Sequence, residues 1–335
     1  MAHITLVLPY ALPLPEFAPD LVRALDAPAL AALLSRGASV RQAAPAHPGA
    51  QPHEAWLART LGVSDGRPAF ADAAMRGLQL DPNGGAWHLV TPGHIQVARS
   101  HLMMADPRQL HLNDDDSRAL FDSARQLCEE LGHAVVYGSA DTWFLRADGW
   151  TAVDIASPDT VVGMDLTDFM PKHLDARPLR RLQNEVQMAW HAHPANAARE
   201  ARRLPAVNAF WIWGAGGDEV PMPALTTYAA PGWLAALGQR QLPSLDGLDG
   251  LFEHDGLLVA GNLAEAAIAA DWGAWLQQMQ HLESALFAPL LAAVKDGRVR
   301  ALRLVLSSRE DLLESSTTPL AQRKFWRRPT LDALT

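Results

Sequence analysis

The stretch from Asn184 to Gly216, NEVQMAWHAHPANAAREARRLPAVNAFWIWGAG, strongly confines what this chain can fold into. It reads as a helix broken at Pro194, a loop, and a strand over Ala209–Trp213 that ends in Gly214-Ala215-Gly216-Gly217. Phe210 and Ile212 alternate with Trp211 and Trp213, so both faces of that strand are apolar. A strand covered on both faces belongs inside a layered α/β protein. Its tryptophans are read as core, with an aromatic pocket wall at the strand end as the alternative. The glycines are read as a tight turn needing positive φ. Alternatively their amides face an anion, because open α/β sheets bind ligands at this edge. His191 and His193 lie two apart, about 200° around a continuous helix. They can share a metal or anion only if the helix breaks before Pro194, since residues preceding proline avoid the helical region. Capping and packing at the helix end is the plainer reading of both.

Composition narrows the class further. The chain has 335 residues, 49% of them hydrophobic and 19% charged, enough for a sizeable core in one or two domains. The net charge of −9 is spread without a basic block, which argues against nucleic acid as a partner. Cys128 is the single cysteine, so neither an internal disulfide nor a thiolate metal cluster is available. The first residues, MAHITLVLPYALPLP, are apolar without a basic leader and read as a buried strand running into a loop. No apolar run is long enough for a membrane span. The expectation is a cytoplasmic protein with no membrane partner.

Along the chain, His3–Pro9 reads as a central strand, Ala18–Leu34 as a helix ended by Gly37, and His53–Leu61 as a short helix. Trp87–Thr91 and Gln96–Met104 read as strands, Asn113 as the cap of a helix through Leu131, and Ala134–Tyr137 with Thr142–Arg146 as a strand pair. Pro178–Arg202 is helical up to the break at Pro194. Strand Ala209–Trp213, a helix from Trp233, strand Leu257–Ala260, a long amphipathic helix Asp271–Lys295 and strand Ala301–Leu306 follow. Such alternation predicts a mainly parallel sheet with helices on both faces. Asp114, Asp115 and Asp116 sit where acids complement a helix N-terminus. Arg323, Lys324, Arg327 and Arg328 surround Phe325-Trp326 in a basic, aromatic tail read as solvated, with a phosphate or partner grip as the alternative.

In the order His193, Pro194, Asn196, Arg199, Asn208, Trp211, Trp213, Gly214, Gly216, the opening stretch resembles the archaeal-type, cofactor-independent phosphoglycerate mutases of the alkaline-phosphatase-like superfamily. The helix DAPALAALLSRGASV, Pro48-Gly49 and Leu61-Gly62 extend the resemblance. It implies an alkaline-phosphatase-like α/β core over residues 1–85 and 176–335, with an inserted α+β domain at 86–175. It also implies two divalent metals, Mn or Zn, and a Ser or Thr nucleophile. The residues depart from that machinery at three places. The first strand ends Leu8-Pro9-Tyr10, where the family has an aspartate ligand. Between Pro48-Gly49 and Leu61-Gly62, the nucleophile's region holds Ala50, Gln51, Pro52, His53 and Glu54. After the late strand, Asp271, His281 and Glu283 lack the spacing of the family's ligand cluster.

The expectation is therefore a non-catalytic relative that needs no cofactor and binds an unknown small molecule or protein. No catalytic residue is assigned. The family-motif residues, His191 included, mark the region expected to hold a ligand. One alternative is a metal-dependent phosphomutase or phosphatase with rearranged ligands drawn from His53, Glu54, His191, His193, Asp218 and Glu219. Another is a structural, oligomer-forming protein built on Trp272 and Trp275.

Overall fold

The computed structural model describes residues 2–43, 49–98, 101–150, 155–171, 176–216 and 224–335. In chain order its strands are β1 (Ala2–Leu8), β2 (Ala38–Ala43), β3 (Trp87–Gly93), β4 (Ile95–Ala98), β5 (His101–Met104), β6 (Val135–Ser139), β7 (Thr142–Arg146), β8 (Ala209–Trp213), β9 (Leu225–Tyr228), β10 (Arg240–Leu242), β11 (Gly256–Ala260), β12 (Val299–Ser307) and β13 (Asp311–Thr317). They fall into two compact units. One comprises Met1–Ala46, Pro223–Ala230 and Gly238–Thr335; the other comprises His47–Met222 and Pro231–Leu237.

The first unit is built on a seven-stranded sheet in the order β10-β9-β11-β1-β12-β13-β2. Pairing is parallel from β10 through β12, and β13 and β2 close one edge antiparallel. Strand β1 lies near the middle, and Leu6, Val7 and Leu8 are fully buried, as its unbroken apolar run predicts. Helix Pro28–Arg36 buries Ala29 through Leu34. The expected single helix over Ala18–Leu34 is two, Ala18–Ala24 and Pro28–Arg36. Pro28 keeps Ala27 out of the helical region (φ −137°, ψ 68°), which forces the break.

The long helix expected over Asp271–Lys295 is also modified. It runs as Trp272–Leu282, one π-turn over Glu283–Phe287, and Ala288–Lys295. Pro289 supplies no N–H to the ladder, so the turn before it widens. The same turn carries Glu283, whose two carboxylate oxygens accept the N–H groups of Ala29 (2.6 Å) and Leu30 (3.1 Å). Helix Pro28–Arg36 has no capping side chain of its own, so Glu283 caps it from a distant point in the sequence. Trp272 and Trp275, read as a possible self-interface, are used within the unit. Trp275 is fully buried and donates to the Tyr10 carbonyl (3.0 Å), and Trp272 packs on Phe17.

The second unit holds a four-stranded sheet in the order β6-β7-β3-β8, antiparallel throughout, and a separate β4–β5 hairpin. This corrects the expectation that β8 joins the parallel sheet: its partner is β3, from Leu89↔Trp213 to Gly93↔Ala209. All seven residues of β3 and all five of β8 are buried. On one face Phe210 meets Trp143 and Trp190, the latter from helix Arg177–His191. The Trp190 indole also donates to the Leu120 carbonyl (3.0 Å) in helix Asp114–Glu130. Toward the end of β8, Trp213 packs edge-on against Trp233, which stacks on Phe70. No helix among the described residues is long and apolar enough to cross a membrane.

Replacing Glu283 by Ala removes both acceptors from the first turn of helix Pro28–Arg36. Urea denaturation should show a loss of about 1–3 kcal/mol; an unchanged midpoint contradicts the capping role.

Candidate functional site

Two features of the second unit have the chemistry of a site. The first is a cavity of about 800 Å³ walled by β8 (Ala209, Phe210, Trp211), the β4–β5 hairpin and helix Arg177–His191. Asn208 builds its rim. The side chain accepts from the Ile95 N–H (2.6 Å) and donates to the Ile95 carbonyl (2.9 Å), closing the hairpin as a missing strand neighbour would. Trp211 is held by its indole N–H on the Ala156 carbonyl (2.9 Å). The walls are mostly apolar, with Ile95, Val97 and Leu102 on the hairpin and Leu166 and Met170 on the facing segment. Polar character comes from Thr167, Asn184 and Gln187, from Arg180, whose Nη1 donates to the Pro171 carbonyl, and from Gln183. The amide of Gln183 donates to the Phe210 carbonyl (3.2 Å), while its Oε1 is buried without a hydrogen-bond partner among the described residues.

The second feature is a buried polar knot at the start of helix Pro52–Leu61. Glu54 is 1% exposed and accepts from the Gln51 N–H (2.8 Å) and the Ser157 hydroxyl (2.7 Å). Ser157 caps the short helix Pro158–Val161, which carries Asp159. Both oxygens of Asp159 accept from Arg108 Nη2 (2.8 and 2.7 Å), and Arg108 Nη1 donates to Asp106 (2.8 Å). Ligand atoms of His53, Glu54 and Asp159 lie within 4.8 Å of one another. Burial pushes the His53 imidazole down to about 4. Burial and then the Asp159 charge hold the Glu54 carboxyl far above its ordinary range, against the pull of its bonds from Gln51 and Ser157. Both side chains are therefore uncharged at neutral pH.

The residues singled out in the sequence divide sharply. His53 and Glu54 enter the knot, joined by Asp159, Arg108 and Asp106, which the sequence did not flag. Asn208 and Trp211 line the cavity. His191 ends its helix exposed, and His193 caps the next one through Nδ1 on the Ala195 N–H (3.2 Å), the plainer of their two readings. Asn196 clamps the chain by donating to the Trp190 and Val207 carbonyls and accepting from the Val207 N–H, each at 2.8 Å. Arg199 is fully buried and donates to the Pro205 and Leu110 carbonyls and to Asp116. Asp116 therefore does more than complement a helix dipole: it also pairs with Arg202. Trp213 donates to Thr91 Oγ1 (3.0 Å). Gly214 has φ 58°, and a Cβ there would meet the Pro68 carbonyl at 2.9 Å. At Gly216 the N–H donates to the Trp87 carbonyl (2.6 Å), so this amide serves the fold. Asp218 and Glu219 lie outside the described residues.

In the first unit, the end of β1 does not fit the metals implied by the resemblance. Pro9 offers no ligand atom, and Tyr10 is 3% exposed with φ 60°. Its backbone is held by Ser307 Oγ (3.4 Å) and the Trp275 indole (3.0 Å). Asp271 caps its own helix through the Ala274 N–H, and Glu283 caps another.

No family model matches the sequence, and no curated protein matches it. Among solved structures the chain is similar to the PH0037 protein of Pyrococcus horikoshii, at 14% identity and TM-score 0.56, over 95% of this chain and 87% of that one. It is also similar to the cofactor-independent phosphoglycerate mutase of Thermoplasma acidophilum, at 15% identity and TM-score 0.47, over 100% and 94% of the two chains. At such identities the likeness is one of fold. The mixed α/β architecture, with a mainly parallel sheet, helices and additional antiparallel strands, is consistent with the alkaline-phosphatase-like class.

One more buried base gives the second unit a pH signature. His88 of β3 is 1% exposed, no described group meets its ring nitrogens in normal hydrogen-bond geometry, and burial lowers it from 6.5 to about 4. The unfolded chain binds a proton that the folded one refuses between those values. Stability from this group is full above about pH 6.5 and drains as pH falls toward 4, by up to about 3 kcal/mol. His53 acts in the same direction and Glu54 in the opposite one. His88→Phe should flatten the acid limb of stability against pH by up to one proton; an unchanged limb contradicts this assignment.

Proposed function

We propose that this protein is a non-catalytic, ligand-binding member of the phosphoglycerate-mutase-like group, with its ligand seated in the cavity between β8, the β4–β5 hairpin and helix Arg177–His191. The observation that carries the reading is the cavity itself. Its volume of about 800 Å³ lies in the range of small-molecule sites, and its walls are mostly apolar. The matching ligand has a mostly apolar body. The first-unit strand end supports the same reading from the other side, since Pro9 and Tyr10 stand where the mutase chemistry needs an aspartate.

A second reading, metal-dependent phosphoryl transfer with rearranged ligands, is favoured by the convergence of His53, Glu54 and Asp159. It would draw on Mn²⁺ or Zn²⁺ for electrophilic catalysis. The binding reading needs no metal.

The test is a fluorescence titration with 8-anilinonaphthalene-1-sulfonate, an apolar probe carrying an N–H, read by energy transfer from tryptophan. The wild-type chain should bind it saturably. Thr167→Trp, placed at the exposed rim of the cavity, should weaken binding about tenfold or more, or about 1.4 kcal/mol. Saturable binding that Thr167→Trp leaves unchanged locates the probe elsewhere and overturns the assignment, as does no saturable binding.

A further inference from the structure

The polar knot has no part in the cavity reading, and its composition calls for an explanation. Three carboxyl groups, Glu54, Asp106 and Asp159, surround one guanidinium, Arg108, which pairs with the two aspartates. Their side chains are nearly removed from water: Glu54 and Asp106 are 1% and 5% exposed, and the side chain of Asp159 is 13% exposed. Arg108 is the guanidinium that pairs with them among the described residues, so all three can be ionised together only with further positive charge beside them, because buried charge without compensation is costly. Asp106 Oδ2 is moreover buried without a hydrogen-bond partner among the described residues, which leave the knot with more acceptors than donors.

Three side chains with metal-ligating atoms are grouped rather than scattered. His53, 3% exposed, contributes an imidazole nitrogen, and Glu54 and Asp159 contribute one oxygen each, all within 4.8 Å of one another. A set of this size can surround one ion, since ligands about 2.0–2.2 Å from a zinc ion lie roughly 3–4 Å apart. The backbone makes the set rigid. His53 and Glu54 are consecutive in the first turn of helix Pro52–Leu61, and Asp159 follows Ser157, whose hydroxyl is bonded to Glu54. Gln51 Nε2 also donates to the Asp159 carbonyl (3.2 Å), tying the two helix starts together a second time.

We propose that His53, Glu54 and Asp159 form a site for a single divalent transition cation, Zn²⁺ in preference to Mg²⁺. The imidazole sets the preference, because Mg²⁺ takes oxygen ligands in a nearly ideal octahedron, whereas zinc accepts mixed nitrogen and oxygen sets. The second positive charge would balance the carboxylates. Arg108 would hold Asp159 in orientation as an outer partner, as hydrogen-bonded groups around metal ligands do. The site uses different residues from those the mutase resemblance implies. It stands whether or not the cavity binds the ligand proposed above.

The test is equilibrium dialysis of the chelator-treated full chain against ZnCl₂, with MgCl₂ as comparator and metal content read by atomic emission. One zinc per chain is expected, with magnesium not retained, and Co²⁺ in its place should give visible d–d absorption. His53→Ala and Asp159→Asn should each weaken zinc binding by about 100-fold. Should His53→Ala fail to fold, Asp159→Asn and the wild-type stoichiometry decide the matter. Absence of stoichiometric uptake by the wild-type chain overturns the proposal, and the knot is then balanced by protons alone. Uptake that neither substitution weakens also overturns it, because the ion then sits elsewhere.

Discussion

The antiparallel pairing of β3 with β8 is the constraint on which the second unit depends. It buries β3 along its whole length between two neighbours, β7 and β8, and so fixes where every aromatic residue of β8 is presented. With Gly93 opposite Ala209, the chain entering β8 is brought beside the start of the hairpin, where Asn208 can bond both backbone groups of Ile95. Those two bonds hold the hairpin over the strand and leave the space that becomes the cavity. The indole donors do related work: Trp190, Trp211 and Trp213 each end on a backbone carbonyl or a hydroxyl, so large apolar bodies are buried with their polar atom satisfied. A one-residue slip of β8 would exchange the two faces and lose all of this at once.

The first unit is held together by its sheet. A parallel sheet is stabilised by burial on both faces: Leu6, Leu8, Leu302 and Leu304 supply one face, and Val7, Val259 and Val305 the other. The end of β1 is packed: Tyr10 is buried, and its carbonyl receives the Trp275 indole. Ionisable groups buried in the second unit are tolerated by shedding charge or by pairing. His53 and His88 are neutral, Glu54 keeps its proton, and Arg108 holds two aspartates.

The sequence makes most strands and helices legible because their apolar runs and breaks are local. Pro28 and Pro289 show the limit of that locality: the periodicity on either side continues through them, so two helices read as one and a π-turn reads as straight. Strand β2 was invisible for a different reason. All six of its residues are exposed, so ASVRQA carries no alternation to mark a buried face. The apolar faces of β8 announced burial but not a partner, since strands on either kind of sheet look alike when covered on both sides. Of the site, His53, Glu54, Asn208 and Trp211 were within reach. Asp159 was not, because nothing in Ser157-Pro158-Asp159 beyond a helix-start pattern connects it to Glu54. Contact across such a separation is a property of the folded chain alone.

The proposed function has this scaffold bind a ligand without performing phosphoryl transfer. The measurement that tests it is turnover of 3-phosphoglycerate and of a phosphomonoester by the full chain with Mn²⁺ and with Zn²⁺ supplied. No product above the protein-free control is the predicted result. Sustained metal-dependent turnover that chelation stops and Asp159→Asn abolishes would contradict it, and would make the buried knot a catalytic centre.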